Sequence, residues 1–132
     1  MRFLTILFLA CTLLFAACAE KHSVQMTKSV QELETILSSH VEDIDGMLPE
    51  LDAYIVKYQP LWDRNFHIFE RMNGDDVVRE LSTQLKTLDE SYLHILNLDL
   101  EIQDILRDDP VRLKAYQDRI RRIGRPTAPP GA

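Results

Sequence analysis

Apolar residues recur at three- and four-residue spacing through most of the chain. The first series consists of Met26, Val30, Leu33, Leu37, His40, Ile44, Met47, Leu51, Tyr54, Tyr58 and Leu61. The second consists of Val78, Leu81, Leu85, Leu88, Tyr92, Ile95, Ile102 and Leu106. Such spacing places apolar side chains on one face of an α-helix, and the alternation that is typical of half-buried strands is absent. The pattern predicts an all-α domain.

Helix-breaking residues divide these series into segments. Asp45-Gly46 followed by Pro49 predicts a helix end and a new start, because proline suits the first turn of a helix. Pro60 has no amide donor and predicts a kink or an end in the second helix. Asn73-Gly74 predicts a turn, with Asp75 as the N-cap of a long third helix.

The outer boundaries of the domain are predicted from the same kinds of signal. Ser29 and Glu32 have capping-box spacing, so the first helix is expected to begin between Ser23 and Ser29. Asp109-Pro110 predicts the start of a fourth helix, and Gly124 predicts its end. We therefore expect a helical domain over residues 29–124 and a disordered tail over residues 125–132.

Two all-α architectures fit these segments. If the breaks at Gly46 and Pro60 are kinks, residues 29–72 and the third helix form a long antiparallel hairpin. If they are full turns, the chain forms a small three- or four-helix bundle with coiled-coil-like packing. The near-heptad period also permits a homodimer. A further apolar row at Leu93, Leu96 and Leu100 predicts that the third helix is buried on more than one side.

The N-terminus has the pattern of a secretion signal. Arg2 is followed by an uncharged run of 15 residues from Phe3 to Ala17. A membrane-spanning helix needs about 20 apolar residues, so this run is typical of a signal peptide and not of a membrane span. We expect residues 1–17 to be removed.

The segment Leu14-Phe15-Ala16-Ala17-Cys18 closes this run and resembles the lipobox of Gram-negative bacterial lipoproteins. The resemblance covers residues 1–18 only, and Phe15 departs from the usual leucine. It implies that Cys18 becomes the first mature residue and carries diacylglyceryl and acyl chains such as palmitate, with residues 18–28 as tether. Ala19, rather than Asp, implies the outer membrane, with the domain on its periplasmic face. The alternative is cleavage after Ala17-Cys18-Ala19, which would release a soluble periplasmic protein.

Composition excludes several kinds of chemistry. Cys11 and Cys18 are the only cysteines of the chain, so a domain that follows Cys18 has no thiol nucleophile, thiolate metal site or disulfide. No Gly-x-Ser-x-Gly, phosphate loop or haem-attachment motif is present. Of the four histidines, His67 shares a helix face with Glu70 and His94 with Glu90, as solvated surface pairs also do, and the set does not predict a metal site. We expect no enzymatic activity, no cofactor and no bound metal.

Charge is distributed unevenly along the chain. Residues 18–106 contain 18 acidic and 7 basic side chains, whereas residues 107–125 contain 3 acidic and 7 basic ones. The cationic last helix either docks on the acidic body or contacts an anionic partner, with Arg119, Arg121 and Arg122 as candidates. The expected periplasmic location argues against nucleic acid as a partner.

Aromatic residues provide the other candidate surface, at Tyr54, Tyr58, Trp62, Phe66 and Phe69. At about 100° per residue their four- and three-residue spacing covers a broad arc of the helix. They either pack against the third helix or remain accessible as anchors for a partner.

Three functions are compatible with these features. The first is a lipid-anchored interaction, scaffold or assembly-accessory module that binds an envelope protein. The second is a soluble periplasmic chaperone or stress sensor. The third is a carrier of a small ligand or metal.

Overall fold

The computed structural model describes residues 22–127 of the 132-residue chain, and all regular structure in this part is helical. Its helices are α1 His22–Ser39, α2 Ile44–Arg71, α3 Gly74–Ile105 and α4 Pro110–Arg122. They share a hydrophobic core and form a small all-α bundle. The fold class predicted from apolar periodicity is therefore confirmed. The signal peptide, Cys18 and residues 128–132 lie outside the described residues.

The first break is a full turn and lies slightly earlier than predicted. α1 ends at Ser39, and Asp43 is the N-cap of α2, where its Oδ1 accepts a hydrogen bond from the Gly46 amide at 3.0 Å. Gly46 therefore belongs to the first turn of α2 and not to the break. A Cβ at this position would lie 2.2 Å from Asp43 Oδ2, so the cap requires glycine here.

Pro60 neither ends α2 nor begins a new helix, because α2 continues from Ile44 to Arg71. The ring removes one amide donor, and the carbonyl that loses its partner belongs to Val56. Val56 and Pro60 are both exposed, so water can satisfy this carbonyl. The position of the proline on the solvent side explains why the helix tolerates it.

The other helix boundaries follow local capping chemistry. Asn73, rather than the predicted Asp75, is the N-cap of α3, and its Oδ1 accepts from the Asp76 amide at 3.0 Å. Asp109 is the N-cap of α4, as predicted, and accepts from the Arg112 amide at 3.1 Å. Gly124 has φ of 75° directly after the end of α4, which is the left-handed conformation that glycine favours.

The first helix begins earlier than the capping-box spacing predicted. α1 starts at His22, and Ser29 lies within it, almost fully buried, with its hydroxyl donating to the Met26 carbonyl at 2.7 Å. Residues 22–28, which we expected in the tether, are thus helical. Ser29 cannot cap a helix that has already run for two turns.

α1 occupies the centre of the bundle, where it packs against both α2 and α3. It is antiparallel to α2, since His22 reaches Asn65 while Glu32 reaches Lys57. It is parallel to α3, since Thr27 lies beside Thr83 while Glu34 reaches His94. α4 packs on α2, whereas α2 and α3 contact each other little. The architecture is therefore a bundle around α1, and not a hairpin of two long rods.

The core lies at the end of the bundle where α4 joins it. It consists of Leu33, Ile36, Leu37, Ile44, Met47, Leu51, Tyr54, Ile55, Trp62, Leu98, Ile102, Leu106 and Tyr116. The contribution of α3 to this cluster begins only at Leu98. Residues 74–86, in the N-terminal half of α3, include no buried residue.

Part of the predicted tail contacts α2. The carbonyl of Arg125 accepts a hydrogen bond from Gln59 Nε2 at 2.9 Å, and the Thr127 amide donates to Asp63 Oδ1 at 2.7 Å. Backbone and side-chain bonds from Thr127 lower the pKa of the Asp63 carboxyl. Gly124 thus turns the chain back along α2. Disorder of the tail stays a prediction.

None of the helices within residues 22–127 combines the length and the apolar content that a bilayer crossing requires.

Substitution of the two helix-start glycines provides a test of the Asp43 cap. Gly46→Ala places a methyl group against Asp43 and displaces its carboxylate, whereas a Cβ at Gly74 meets no atom within 4 Å. Loss of an N-cap costs about 1 kcal/mol, and Gly→Ala in an open helical position stabilises by about 0.4–1 kcal/mol. We expect chemical denaturation to show Gly74→Ala more stable than Gly46→Ala by at least about 1 kcal/mol. Equal stability would show that the cap contributes nothing.

Candidate functional site

The predicted aromatic surface is mostly part of the core. Tyr54 and Trp62 are each 3% exposed, with ring centroids 5.7 Å apart, and Tyr58 lies half-buried 4.9 Å from Tyr54. The Tyr54 hydroxyl donates to the Ser29 carbonyl of α1 at 2.8 Å, and burial raises the pKa of its phenol. The hydroxyls of Tyr54 and Tyr58 thus reach α1, and Tyr54 and Trp62 share one core cluster with residues of the third helix such as Leu98. Of the five aromatic candidates, Phe66 is exposed and Phe69 is half-buried.

A shallow groove of about 330 Å³ runs beside Pro60 between α1 and α2. Its lining residues are Gln25, Lys28, Lys57, Tyr58, Pro60, Leu61 and Arg64. The Lys57 ammonium lies 2.8 Å from Glu32 Oε2, and the Arg64 guanidinium donates to the Gln25 amide oxygen at 3.0 Å. Two of the cationic groups that line this groove are thus engaged with neighbouring side chains.

Glu32 links the groove to the core. It accepts from Lys57 and from the Tyr58 hydroxyl, and although burial opposes the shift, these bonds lower the pKa of its carboxyl. Burial raises the pKa of the Tyr58 phenol, and the bond to Glu32 adds to this shift. The cluster fastens α1 to α2. It contains no activated nucleophile and no base aimed into the groove.

The cationic helix α4 is fixed to α2 by two Arg–Asp pairs that are one heptad apart. Arg112 donates to both carboxylate oxygens of Asp45 at 2.9 Å, and Arg119 donates to those of Asp52 at 2.9 and 3.0 Å. Bidentate pairs of this kind fix geometry as well as charge. Docking on the acidic body, one of the two expected roles of α4, is therefore shown for these side chains. Arg121 and Arg122 are exposed.

The histidines of residues 22–127 each have a protein partner within hydrogen-bond distance. The closest pair joins His94 Nδ1 to Glu34 Oε1 at 2.6 Å, and this contact lowers the pKa of the Glu34 carboxyl. His40 Nδ1 lies 3.0 Å from the Ile36 carbonyl within the turn after α1. Among the described residues, no group of three or more His, Cys, Asp or Glu side chains is arranged to hold a metal ion.

A feature that sequence reasoning missed lies on α3. Seven large apolar side chains on this helix are between 43% and 66% exposed. Apart from Ile105, they lie on one face, and we call them the apolar stripe: Val78, Leu81, Leu85, Leu93, Leu96 and Leu100. At about 100° per residue, the residues of the stripe span about 120° of the helix circumference. The centre of this arc lies about 110° from the buried side of α3. The stripe is about 33 Å long at 1.5 Å per residue.

The apolar stripe corrects the expectation that α3 is buried on two sides. Leu93, Leu96 and Leu100 were predicted to be covered, yet all three are more than half exposed. α1 contacts a different side of α3. α4 reaches α3 near its C-terminal end, where Tyr116 donates to Asp99 at 2.7 Å and Gln117 donates to Gln103 at 3.2 Å. The signal was present in the sequence as the second apolar row, but within residues 22–127 no further helix covers it.

No protein-family model matches this chain, and no curated protein and no solved structure matches it.

Two arginines of α4 provide a matched test of its docking. Arg119→Gln removes the contacts to Asp52 and to the Ala115 carbonyl, whereas Arg121→Gln alters an exposed side chain. Because the Arg119 pair is only partly buried, we expect a loss of about 0.5–1 kcal/mol in the free energy of unfolding. Arg121→Gln should change it by less than about 0.5 kcal/mol. Equal effects of the two substitutions would contradict the assignment of Arg119 to an internal contact.

The other arginine pair predicts a pH dependence. The bond from the Arg112 guanidinium lowers the pKa of the Asp45 carboxyl, and bonds from the Arg112 amide and guanidinium lower that of Asp109. Both pKa values lie below those of the unfolded chain, so this stabilisation is complete above about pH 5 and is lost as the pH falls below about 4 towards the lowered pKa values. Arg112→Gln should therefore reduce the melting temperature at pH 7 and have a much smaller effect near pH 3.

The control for this experiment is Arg107→Gln, which removes an exposed arginine that contacts Asp104 one helical turn away. We expect this variant to remain close to the original protein at both pH values. A deficit for Arg112→Gln that is as large at pH 3 as at pH 7 would show that the contribution of Arg112 is not electrostatic.

Proposed function

We propose that this protein is a lipoprotein anchored in the outer membrane through Cys18, whose helical domain is an interaction or assembly-accessory module on the periplasmic face. The anchor is supported by the lipobox-like segment that ends at Cys18. Each buried methylene contributes about 0.8 kcal/mol, and stable anchoring takes two acyl chains, so a triacylated cysteine would hold the domain on the bilayer.

The observation that supports the interaction role is the apolar stripe. Monomeric proteins rarely expose long contiguous apolar surfaces, and those that do use them as contact sites. The stripe is regular, with alternating three- and four-residue steps within each of its halves, as in helices that pack against another helix. By contrast, the groove beside Pro60 is lined by side chains that already hold α1 to α2.

The stripe also gives some support to a second function, a periplasmic chaperone that binds unfolded clients through exposed apolar surface. This candidate requires the purified protein to suppress aggregation of a denatured client at stoichiometric amounts. Polar substitution of Leu93 should then abolish the suppression. An interaction module with a defined partner predicts no such activity.

Mass spectrometry of the mature N-terminus tests the anchor. We expect the mature, unsubstituted protein to begin at Cys18 with acyl chains attached and to sediment with membranes. Cys18→Ser should prevent lipidation and remove the protein from the outer-membrane fraction. An unacylated product that begins at Glu20 and fractionates as a soluble protein would overturn the proposed anchor.

Photo-crosslinking in intact cells tests the interaction role. A crosslinking amino acid in place of Leu93 should yield a discrete adduct, because Leu93 lies in the stripe. The matched control is the same substitution at Val111, which is 79% exposed on α4 and lies outside the stripe. No adduct from Leu93 above the level of the Val111 control would contradict a contact function for the stripe.

A further inference from the structure

The spacing of the apolar stripe is nearly symmetric about its midpoint. Val78 and Leu100 each lie eleven residues from Asp89, and Leu85 and Leu93 each lie four residues from it. Leu81 and Leu96 complete the pattern at eight and seven residues. A helix face with this property presents the same sequence of apolar positions when it is read in either direction.

Such a face is complementary to a reversed copy of itself. In a two-fold symmetric dimer, one patch contacts the same patch of the partner, so each residue must suit the residue that faces it. We propose that the apolar stripe is the interface of an antiparallel homodimer, with the two-fold axis at Asp89. The inference rests on the proposed contact function of the stripe and names a second copy of this chain as the occupant.

In this arrangement Leu85 faces Leu93 of the second copy, and Val78 faces Leu100. Every apolar residue of the stripe meets an apolar residue or lies one position from it. A stripe about 33 Å long and roughly 15 Å wide would bury about 500 Å² per copy. The total of about 1,000 Å² is at the lower limit for a specific interface, so we expect a reversible dimer.

The charges along one edge of the stripe support the same pairing. Arg79 and Lys86 lie in the N-terminal half of this edge, and Glu90 and Glu101 lie in the C-terminal half. All four fall within about 60° of arc at 100° per residue. Antiparallel symmetry brings this edge onto the same edge of the second copy. Lys86 then meets Glu90, and Arg79 meets Glu101, each within two residues of the facing position.

Acidic pairs oppose the arrangement, and the central pair provides a test of it. The two Asp89 carboxylates face each other across the axis, where like charges repel. Asp75 and Asp104 approach each other at the ends, but both are exposed and screened by solvent. The dimer should therefore be strengthened by Asp89→Asn, which removes the central repulsion while it preserves the side-chain shape.

A bilayer surface is a different occupant, and the charges of the stripe argue against it. Helices that lie in the membrane interface carry lysine and arginine on the polar face beside the apolar one. Here Asp89 lies near the centre of the apolar arc, and the edge of the stripe carries more acidic than basic side chains. The stripe is better suited to a helix with complementary charge than to anionic lipid.

Disulfide crosslinking of the full-length protein in native membranes tests the pairing. In the antiparallel dimer, Leu85→Cys of one copy faces Leu93→Cys of the other. Two Leu85→Cys residues would lie eight positions, or about 12 Å, apart along the helices, which is beyond the ~7 Å Cα separation that a disulfide can span. We expect a crosslinked dimer from the double variant, and from co-expressed single variants, but not from either single variant alone.

The controls separate the possible outcomes. The protein without added cysteine, and a Val111→Cys variant, give the background that arises from Cys18 or from chance encounters. Crosslinking of the single variants as efficient as that of the double variant would show a parallel pair and overturn the inference. Absence of a crosslinked dimer above background would also overturn it.

Charge exchange at Lys86 and Glu90, made in the Leu85→Cys, Leu93→Cys double variant, provides a second test. Lys86→Glu replaces two attractive contacts across the axis by repulsive ones, and we expect a reduction in crosslinked dimer on the order of fivefold. The double substitution Lys86→Glu with Glu90→Lys restores the attraction and should restore the dimer. If the reduction persists in the double variant, the charge pairing is wrong.

The outcomes also distinguish this inference from the proposed function. A photo-adduct from Leu93 with a different protein would support a contact function for the stripe and overturn the homodimer. Loss of membrane fractionation would concern only the anchor at Cys18. Binding of the purified protein to anionic vesicles, lost on Leu93→Gln, would assign the stripe to lipid and overturn the inference.

Discussion

The central constraint on this molecule is that one short helix must cover two long ones. α1 has 18 residues, whereas α2 has 28 and α3 has 32, and α1 lies between them. No cysteine follows Cys18 in the chain, so disulfides cannot replace packing in the helical domain. The burial that α1 provides therefore determines which apolar surfaces become core and which remain open. α2 gains a second cover from α4, but α3 gains almost none.

Because α2 is covered by two helices and α3 mainly by one, charged residues of α4 form contacts within the fold, whereas apolar residues of α3 stay exposed. Where α4 lies on α2, acidic and basic residues face each other at heptad spacing, and Arg112 and Arg119 become part of the fold. The chain after Gly124 continues along the same side of α2 as far as Thr127. Among the described residues, α3 has no such cover over its N-terminal half, where Leu81 and Leu85 are exposed. An apolar surface of this length is expected to find a partner, because leaving it in water forfeits about 25 cal/mol per Å².

Local signals in the sequence predicted most of the architecture. Asp109-Pro110 and Gly124 act through bonds to their immediate neighbours, so their roles could be read directly. Ser29 has the spacing of a capping box, but the helix starts a full two turns earlier and the residue is buried against Tyr54 of α2. Pro60 is tolerated because its side of the helix faces solvent. The position of Ser29 inside a helix and the continuation of α2 through Pro60 cannot be predicted from a few neighbouring residues, because both depend on which helix packs alongside.

The aromatic residues and the apolar stripe show the same limit. Periodicity identified both, but it could not assign Tyr54 and Trp62 to the core or Leu93 and Leu96 to the surface, because that depends on the position of α1. The most direct test is the mass of the intact protein particle in detergent, measured by light scattering over a dilution series. The account predicts two chains per particle, falling to one on dilution and in a Leu85→Gln, Leu93→Gln variant. A single chain per particle at every concentration would contradict it.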